Sequence, residues 1–294
     1  METFKSFERD LYEVNADTFP DIAYRIFRYQ AKENKTYQQY LQYRKIDPTK
    51  VSKLEEIPFL PISLYKQYEV VTGSWIPEKI FLSSGTTGSI PSMNRIFSLS
   101  LFEERAKRIF EDFFEPVENY HILALLPSYL ERGDSSLVYM VNHLIKESGS
   151  NHSSFYLHNV EELVSTATLL KGSPKRVMIW GVTYALLDLA NRFPFDASHC
   201  VLVETGGMKG RGKEMVREEV HQFLHKKLGA KSVFTEYGMT ELTSMAYTDS
   251  SGIFRCPNTM KVYIRDLYDP FAFFAGGEHG GINVIDLANY ATCS

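Results

Sequence analysis

The sequence predicts an α/β protein with layered sheets flanked by helices and a β-rich C-terminal part. Short apolar runs such as HILALLP (121–127) alternate with amphipathic stretches of helical period, which is typical of a sheet covered by helices. No internal repeat interrupts this alternation, and 294 residues that are 44% hydrophobic can bury a large core. Composition along the chain predicts a helical N-terminal segment and connector (1–62), an α/β core (63–235) and a β-rich subdomain (236–294).

The N-terminal elements follow from composition and from proline. The first 45 or so residues are rich in Tyr, Phe, Gln and Arg and are predicted to be mainly helical. Three prolines between residues 48 and 61 then impose an extended path, which we interpret as a connector to the first strand. Ser100 and Glu103 have capping-box spacing, so they predict the start of a helix that continues through about Phe114.

Strands and helices alternate in the middle of the chain, and the pattern changes near the end. The predicted elements are a strand at 121–127, helices at 135–147 and near 160–171, a strand at RVMIWG (176–181), a helix near 183–192, a strand at CVLVET (200–205), and a long helix from about Lys213 to Leu228 closed by Gly229. Beyond SVFTEYG (232–238), segments such as KVYIRDLYD and GGINVIDL are short, aromatic or β-branched, and punctuated by Gly and Pro. They predict β-structure over the last 60 residues.

Charge and cysteine content exclude several classes of protein. The net charge is −4, from 32 basic and 36 acidic residues, and no basic run with interleaved aromatic residues occurs, so we expect no nucleic-acid partner. The first twenty residues lack the apolar stretch of a signal peptide, and the longest apolar runs are too short to span a bilayer, so we expect a cytoplasmic protein without a membrane span. Three widely spaced cysteines without C-x-x-C indicate reduced thiols and no cysteine-bound metal.

The stretch FLSSGTTGSIP (81–91) is the first candidate site. Two glycines and four hydroxyl residues directly after an apolar pair predict a loop that leaves a strand. Hydroxyl donors and unhindered backbone N–H groups can surround a polyphosphate, whereas the alternative is a polar surface loop without a ligand. The candidate phosphate-binding residues are Ser83, Ser84, Gly85, Thr86, Thr87 and Gly88.

A second glycine-rich stretch competes for the phosphate. GMKGRGKE (207–214) fits the P-loop pattern G-x-x-x-x-G-K, except that Glu214 replaces the hydroxyl residue that would bind magnesium. A carboxylate there would also repel the β- and γ-phosphates. The preferred interpretation is that Gly206 and Gly207 form a tight backbone bend beside a nucleotide base, and the alternative is a basic helix entry.

The third stretch is TEYGMTEL (235–242). It offers a stacking face in Tyr237, close approach of a ligand at Gly238, a phosphate donor in Thr240 and a magnesium ligand in Glu241. Each of these suits bound MgATP. The alternative is a strand end with a capping Thr and an exposed Glu.

In this order, SSGTTGSIP, ETGG and EYGMTEL resemble the motifs of the adenylate-forming superfamily of acyl-CoA synthetases, adenylation domains and luciferases. More narrowly, LLPSYLERGDSSLVYMV, ETGGMKG and EYGMTELTS resemble the acyl-protein synthetase family, typified by the synthetase subunit of the bacterial luminescence fatty-acid reductase. The resemblance runs from about Ser63 to the end of the sequence. It implies the fold of the large N-terminal domain of these enzymes, ATP and Mg²⁺ as cofactors, a fatty or other apolar carboxylic acid as substrate, and acyl-accepting or acyl-donating protein partners.

The resemblance also assigns a role to each motif. It implies that an acid attacks the α-phosphate of ATP, giving an acyl-adenylate and pyrophosphate, and that the acyl group then passes to a protein thiol. Ser83–Gly88 would hold the phosphates, Gly206 and Gly207 would border the adenine, and Tyr237 would stack on it beside Gly238. Thr240 would touch the α-phosphate and Glu241 would bind magnesium.

Other parts of the family pattern are expected after Ser294. These are an aspartate for the ribose hydroxyls, a mobile C-terminal domain with a catalytic lysine, and an acyl-accepting cysteine, so we expect a shortened form of such an enzyme. Asp286 precedes the place of the ribose aspartate and is interpreted as a strand-end residue, with ribose binding as the alternative. Cys293 has neither a base nor a positive neighbour in sequence and is interpreted as an ordinary cysteine.

Further alternatives remain open. His221 and His225 lie one helical turn apart, but Gln222 stands where a zinc protease needs glutamate, so a solvated helix face is preferred. Ser128 lacks a G-x-S-x-G context and is interpreted as part of a turn or pocket wall. At the level of function, the alternatives to a ligase are a nucleotide- or acyl-binding subunit without turnover and a P-loop phosphotransferase that depends on Lys213.

Overall fold

A computed structural model describes residues 2–84, 90–126, 133–156, 159–206, 215–249, 251–274 and 277–293. Within these ranges the α-helices are α1 (Phe4–Tyr12), α2 (Phe19–Glu33), α3 (Lys35–Tyr43), α4 (Leu64–Gln67), α5 (Leu99–Phe113), α6 (Ser136–Glu147), α7 (Val160–Leu169), α8 (Thr183–Arg192) and α9 (Arg217–Leu228). The strands are β1 (Lys79–Leu82), β2 (Met93–Ile96), β3 (Tyr120–Leu125), β4 (Ser154–Phe155), β5 (Arg176–Gly181), β6 (Cys200–Glu204), β7 (Ser232–Tyr237), β8 (Ala246–Thr248), β9 (Phe254–Arg255), β10 (Met260–Arg265) and β11 (Gly281–Asp286).

A seven-stranded sheet with the order β4-β3-β5-β6-β7-β8-β9 confirms the predicted α/β class. Strands β4, β3, β5, β6 and β7 are parallel, while β8 and β9 continue the sheet in antiparallel fashion. All residues of β3 and β6 are buried, because parallel strands joined by helices are covered on both faces. Two antiparallel pairs, β1–β2 and β10–β11, form separate small sheets.

The strand order determines where the ends of the parallel strands meet. The chain passes from β3 outward to β4 and then crosses back to β5 on the other side of β3, after which β6 and β7 follow in sequence order. Because these strands are parallel, their carboxyl ends share one edge of the sheet, at Leu125, Gly181, Glu204 and Tyr237. Ligands of open α/β sheets bind outside this edge.

The chain forms two compact units, each made of discontinuous segments. Unit 1 comprises Met1–Phe102, Met239–Ser244 and Cys256–Ser294, and unit 2 comprises Glu103–Gly238 and Met245–Arg255. The seven-stranded sheet belongs to unit 2, and both small antiparallel sheets belong to unit 1. The predicted division of the sequence at residues 62 and 235 rests on composition and stays a prediction.

The core of unit 1 joins the N-terminal helices to the end of the chain. Helices α1, α2 and α3 confirm the predicted helical N-terminal region, and their apolar faces pack on the segment that follows β11. The ring of Phe7 lies 5.9 Å from that of Tyr290, and the buried amide of Gln30 donates to the carbonyls of Asn289 and Tyr290. These contacts satisfy backbone groups that burial would otherwise leave unpaired.

Unit 2 contains most of the predicted strand and helix alternation, with differences at helix starts. Helix α9 begins at Arg217 rather than near Lys213, because Val216 is extended (φ −71°, ψ 154°), and residues 207–214 lie outside the described part of the chain. It ends at Gly229 as predicted, with φ +65°. The short strands β4 and β9, of two residues each, lack a sequence signal of their own.

The start of α5 corrects one prediction in detail. The helix begins at Leu99, so Ser100 lies inside it and not at its cap. The hydroxyl of Ser98 accepts a hydrogen bond from the backbone N–H of Leu101 (3.2 Å), which is the contact of a capping residue. Two serines at alternate positions make the cap ambiguous from sequence alone.

Among the described residues, no helix is long and apolar enough to cross a membrane, and α2 and α5 have 15 residues each.

Candidate functional site

The Ser/Thr/Gly stretch leaves strand β1, as predicted, and its chain returns through β2. The backbone N–H of Ser83 donates to the carbonyl of Ser92 (3.0 Å), and the backbone N–H of Ser92 donates to the hydroxyl of Ser83 (2.8 Å). This pair continues the β1–β2 pairing by one step, and Ser84 beyond it is exposed. The predicted phosphate-binding residues Gly85, Thr86, Thr87 and Gly88 lie outside the described residues.

Thr240 and Glu241 lie in unit 1, in a segment whose backbone is held by two buried amides. The side-chain amide of Asn94 on β2 donates to the carbonyl of Thr240 (2.8 Å). The side-chain amide of Asn289 donates to the carbonyl of Glu241 (2.8 Å). Asn94 and Asn289 are 1% and 3% exposed, so water does not compete for these donors. Two consecutive carbonyls are therefore fixed from two different parts of the chain.

Asp286 holds the residues that follow Glu241. Its carboxylate accepts hydrogen bonds from the backbone N–H groups of Thr243 (2.9 Å) and Ser244 (2.7 Å), from the Ser244 hydroxyl (2.7 Å) and from the N–H of Ala288 (3.1 Å). The side chain is fully buried, and burial raises its pKa against the effect of these donors. Both oxygens are thus engaged within the protein, which supports the strand-end interpretation of Asp286 over ribose binding.

Unit 1 therefore brings two of the predicted motifs together. Ser92 closes the base of the Ser/Thr/Gly loop, and Asn94, two residues further along β2, bonds to Thr240, which is 146 residues away in the chain. Sequence reasoning missed Asn94 and Asn289. The available signal was weak: each is a polar residue among neighbours that pack inward, as Ile96 does beside Asn94.

Glu241 is a buried carboxylate, 6% exposed. It lies near Tyr65, whose pKa is raised first by burial and further by nearby charges that include Glu241. In the described ranges, no group of three or more His, Cys, Asp or Glu side chains is arranged to hold a metal ion. Magnesium that arrives with a nucleotide needs only one or two protein carboxylates, because phosphate oxygens and water complete its shell. The metal-binding role of Glu241 stays a prediction.

In unit 2, Gly206 follows the carboxyl end of β6 in a tight bend. Its φ is +71°, a conformation that favours glycine, and its N–H donates to the carboxylate of Glu204 (2.7 Å). The same carboxylate accepts a hydrogen bond from the hydroxyl of Thr183, at the start of α8. Gly207 lies outside the described residues, as does the rest of the competing P-loop stretch with Lys213 and Glu214.

Tyr237 and Gly238 end strand β7 at the same edge of the sheet. The Tyr237 ring contacts the Phe254 ring edge-on, with centroids 6.0 Å apart. A Cβ atom on Gly238 would collide with the carboxylate of Glu236. Glycine at position 238 therefore leaves space for the Glu236 carboxylate. The sequence alone explained this glycine only by the close approach of a ligand.

Glu236 is an unusual acid within this predicted motif. It is 7% exposed, and burial, followed by the charge of Glu204, raises its pKa to about 8. Its cross-strand neighbour Tyr247 is fully buried, and no described residue forms a hydrogen bond with the Tyr247 hydroxyl. At neutral pH Glu236 is therefore mostly protonated. Sequence reasoning assigned no role to it, because only its neighbours in three dimensions make it unusual.

The remaining candidates have structural partners or fall outside the described residues. The ring of His221 is 2.9 Å from the Thr235 hydroxyl, and that of His225 contacts the carbonyl of Ala230. His221 is thus half-buried against β7 rather than fully solvated, a correction to the predicted helix face. Ser128 lies outside the described residues. Cys293 is buried, and burial raises its pKa to about 12, so it is not a reactive thiol.

Comparison with protein-family models gives no match for this sequence, and comparison with curated proteins gives none either.

Proposed function

We propose that this chain activates a fatty or other apolar carboxylic acid with MgATP, forming an acyl-adenylate whose acyl group passes to a protein thiol. The observation that supports this most is the hydrogen bond from Asn94 to the Thr240 carbonyl. It joins the strand that carries the end of the Ser/Thr/Gly loop to the segment with Thr240 and Glu241. Phosphoryl chemistry requires such proximity, because phosphate donors and the metal ligand act on one polyphosphate.

The proposed chemistry needs little from the protein beyond alignment. The carboxylate of the acid is already ionised at neutral pH, so no base is required when it attacks the α-phosphorus and pyrophosphate departs. Ser83 to Gly88 would bind the phosphates, Thr240 would donate to the α-phosphate, and Glu241 would hold Mg²⁺. Magnesium held there would supply neutralisation of the phosphate charge. Catalysis would then consist of positioning and charge neutralisation.

The carboxyl edge of the sheet in unit 2 supports the nucleotide assignment. Gly206 bends the backbone directly after β6, and Tyr237 is the last residue of the neighbouring strand β7. Nucleotides bind outside this edge in open α/β sheets. We assign the border of the adenine to Gly206 and Gly207, and stacking on it to Tyr237.

The test is acid-dependent exchange of pyrophosphate into ATP, measured with acids of several chain lengths. We expect exchange with apolar acids and its loss in Glu241→Ala. The matched control Glu218→Ala, at an exposed position of α9, should retain exchange. For each variant, calorimetry also measures the binding of a non-hydrolysable acyl-adenylate mimic.

Two results would overturn the proposal, and a third would remove the assigned role of Glu241. Nucleotide binding without exchange for any acid would favour the binding-subunit alternative. Loss of nucleotide binding in Lys213→Ala, with Glu241→Ala unaffected, would favour the P-loop phosphotransferase. Equal exchange by Glu241→Ala and the wild type would refute the metal role of Glu241.

A further inference from the structure

Within the described part of the chain, the side chain of Asn94 makes one hydrogen bond, whereas that of Asn289 makes three. Its Nδ2 donates to the Thr240 carbonyl (2.8 Å), and its Oδ1 is buried and has no hydrogen-bond partner among the described residues. Asn289, by contrast, also accepts from the N–H (3.0 Å) and the hydroxyl (2.7 Å) of Thr243. Asn289 thus bonds to two residues of this segment, Glu241 and Thr243, whereas the described bond of the Asn94 amide is to one atom, the Thr240 carbonyl oxygen.

That one atom belongs to the residue proposed to contact the reacting phosphate. A bond to the Thr240 carbonyl fixes the peptide plane between Thr240 and Glu241, and the Asn289 bond fixes the next one. Both planes flank the Glu241 side chain, and the first of them also flanks that of Thr240. The strand that carries Asn94 also carries Ser92, which closes the loop at Ser83.

We propose that Asn94 is a positioning residue, which aligns Thr240 and Glu241 with Ser83 directly after β1 and thereby sets the rate of acyl-adenylate formation. This inference rests on the proposed function. It requires a donor at position 94, because a carbonyl oxygen can only accept a hydrogen bond. Loss of the donor should lower the turnover rate more than the affinity for ATP, since the phosphate-binding groups stay present but are misaligned. A displacement of about 1 Å can lower a rate about 100-fold.

The decisive variant is Asn94→Asp, which replaces the donor with a group that donates only when protonated. Burial raises the pKa of a carboxyl at such a site. Above that pKa the carboxylate repels the Thr240 carbonyl, and below it the carboxyl O–H can donate to the same oxygen. We therefore expect the rate of pyrophosphate exchange by Asn94→Asp, divided by the wild-type rate at the same pH, to rise about tenfold or more as the pH is lowered from 8 to 5.

Asn94→Ala and a charge control complete the experiment. For Asn94→Ala we expect kcat of exchange to fall about 100-fold with KM for ATP changed less than threefold. Asn191→Asp makes the same chemical change at an exposed position of α8 and should follow the wild-type pH profile. Expressing each activity relative to the wild type at the same pH removes the pH effects that both proteins share.

The outcomes separate this inference from the proposed function. No exchange by the wild type would refute the proposed function, and the inference with it. Exchange by the wild type together with an unchanged kcat in Asn94→Ala, or a flat relative pH profile in a folded Asn94→Asp, would refute the positioning role alone. If Asn94→Ala fails to fold, Asn94→Asp, assayed at pH 5 where it can donate, still gives the test.

Discussion

Glu236→Gln offers a direct test of the electrostatics at the sheet edge. In the folded protein the pKa of Glu236 is raised to about 8 from an ordinary value of 4.5, first by burial and then by the charge of Glu204. Between these two pH values the unfolded chain releases a proton that the folded chain retains. The contribution of Glu236 to stability therefore falls as pH rises from about 4.5 to about 8, and it stays constant above. Glutamine has the shape of glutamate but cannot ionise, so the stability of Glu236→Gln does not fall with pH through residue 236.

The magnitude follows from the two pKa values. One pKa unit corresponds to about 1.4 kcal/mol, so the full effect reaches about 5 kcal/mol, and the part between pH 5 and pH 8 is about 3 kcal/mol. Relative to the wild type, Glu236→Gln should therefore gain about 3 kcal/mol in the free energy of unfolding over that range. Comparison at each pH cancels the titration of all other groups that the two proteins share.

The two tryptophans provide an assay specific to unit 2. Trp75 lies in unit 1 and Trp180 in unit 2, where the Trp180 ring is 6.0 Å from that of Tyr247, the cross-strand neighbour of Glu236. In a Trp75→Phe background, urea unfolding followed by fluorescence reports on unit 2 through Trp180 alone. Measurements at pH 5, 6.5 and 8 give the pH dependence of the difference.

Glu204→Gln is the matched comparison, because Glu204 accepts hydrogen bonds from Gly206 and Thr183. We expect it to destabilise unit 2 and also to reduce the pH dependence that Glu236 causes, since the charge of Glu204 contributes to the raised pKa. The reasoning would be refuted if wild type and Glu236→Gln differed by the same free energy at pH 5 and pH 8.

Three further predictions concern packing, backbone conformation and thiol reactivity. Leu202→Ala, in the fully buried centre of the sheet, should lower the free energy of unfolding of unit 2 by about 2–5 kcal/mol, and a cost below 1 kcal/mol in urea unfolding would contradict this burial. Gly229→Ala should cost about 1 kcal/mol in the same measurement because φ is +65° there, and a gain in stability would exclude that conformation. Of the three thiols, exposed Cys256 should react with a disulfide reagent in the native protein, while Cys200 and Cys293, buried and with pKa values raised to about 12, should react only after unfolding; rapid labelling of two or more thiols would count against the described core.

Sequence periodicity was sufficient for the parallel sheet. Strands such as β5 and β6 are uninterrupted apolar runs between helices, so burial on both faces is visible in the sequence itself. The end of α9 was also predictable, because Gly229 has a left-handed backbone conformation that few other residues adopt. The two-residue strands, and whether Ser98 or Ser100 caps α5, depend on hydrogen-bond geometry. The neighbouring residues in the sequence do not determine that geometry.

The candidate site was predictable only in part. The motif residues Ser83, Gly206, Tyr237 and Thr240 could be chosen because their chemistry is local, and their assigned roles remain predictions. The residues that position them could not be predicted, because Asn94 and Thr240 are hydrogen-bonded but lie 146 residues apart in the sequence. The raised pKa of Glu236 depends similarly on Glu204, a residue on a neighbouring strand.

The discontinuous composition of the two units has a consequence for biosynthesis. Every segment of unit 2 has left the ribosome's active centre once Arg255 is added, whereas unit 1 still lacks β10, β11 and the buried polar residues Asp286 and Asn289. At about 5–20 residues per second, synthesis of the 39 residues from Cys256 to Ser294 takes about 2–8 s. During that interval helices α1 to α3 expose the apolar faces that Ile285 and Tyr290 later cover. The helices at the start of the given sequence are therefore synthesised before unit 2 but complete their core after it.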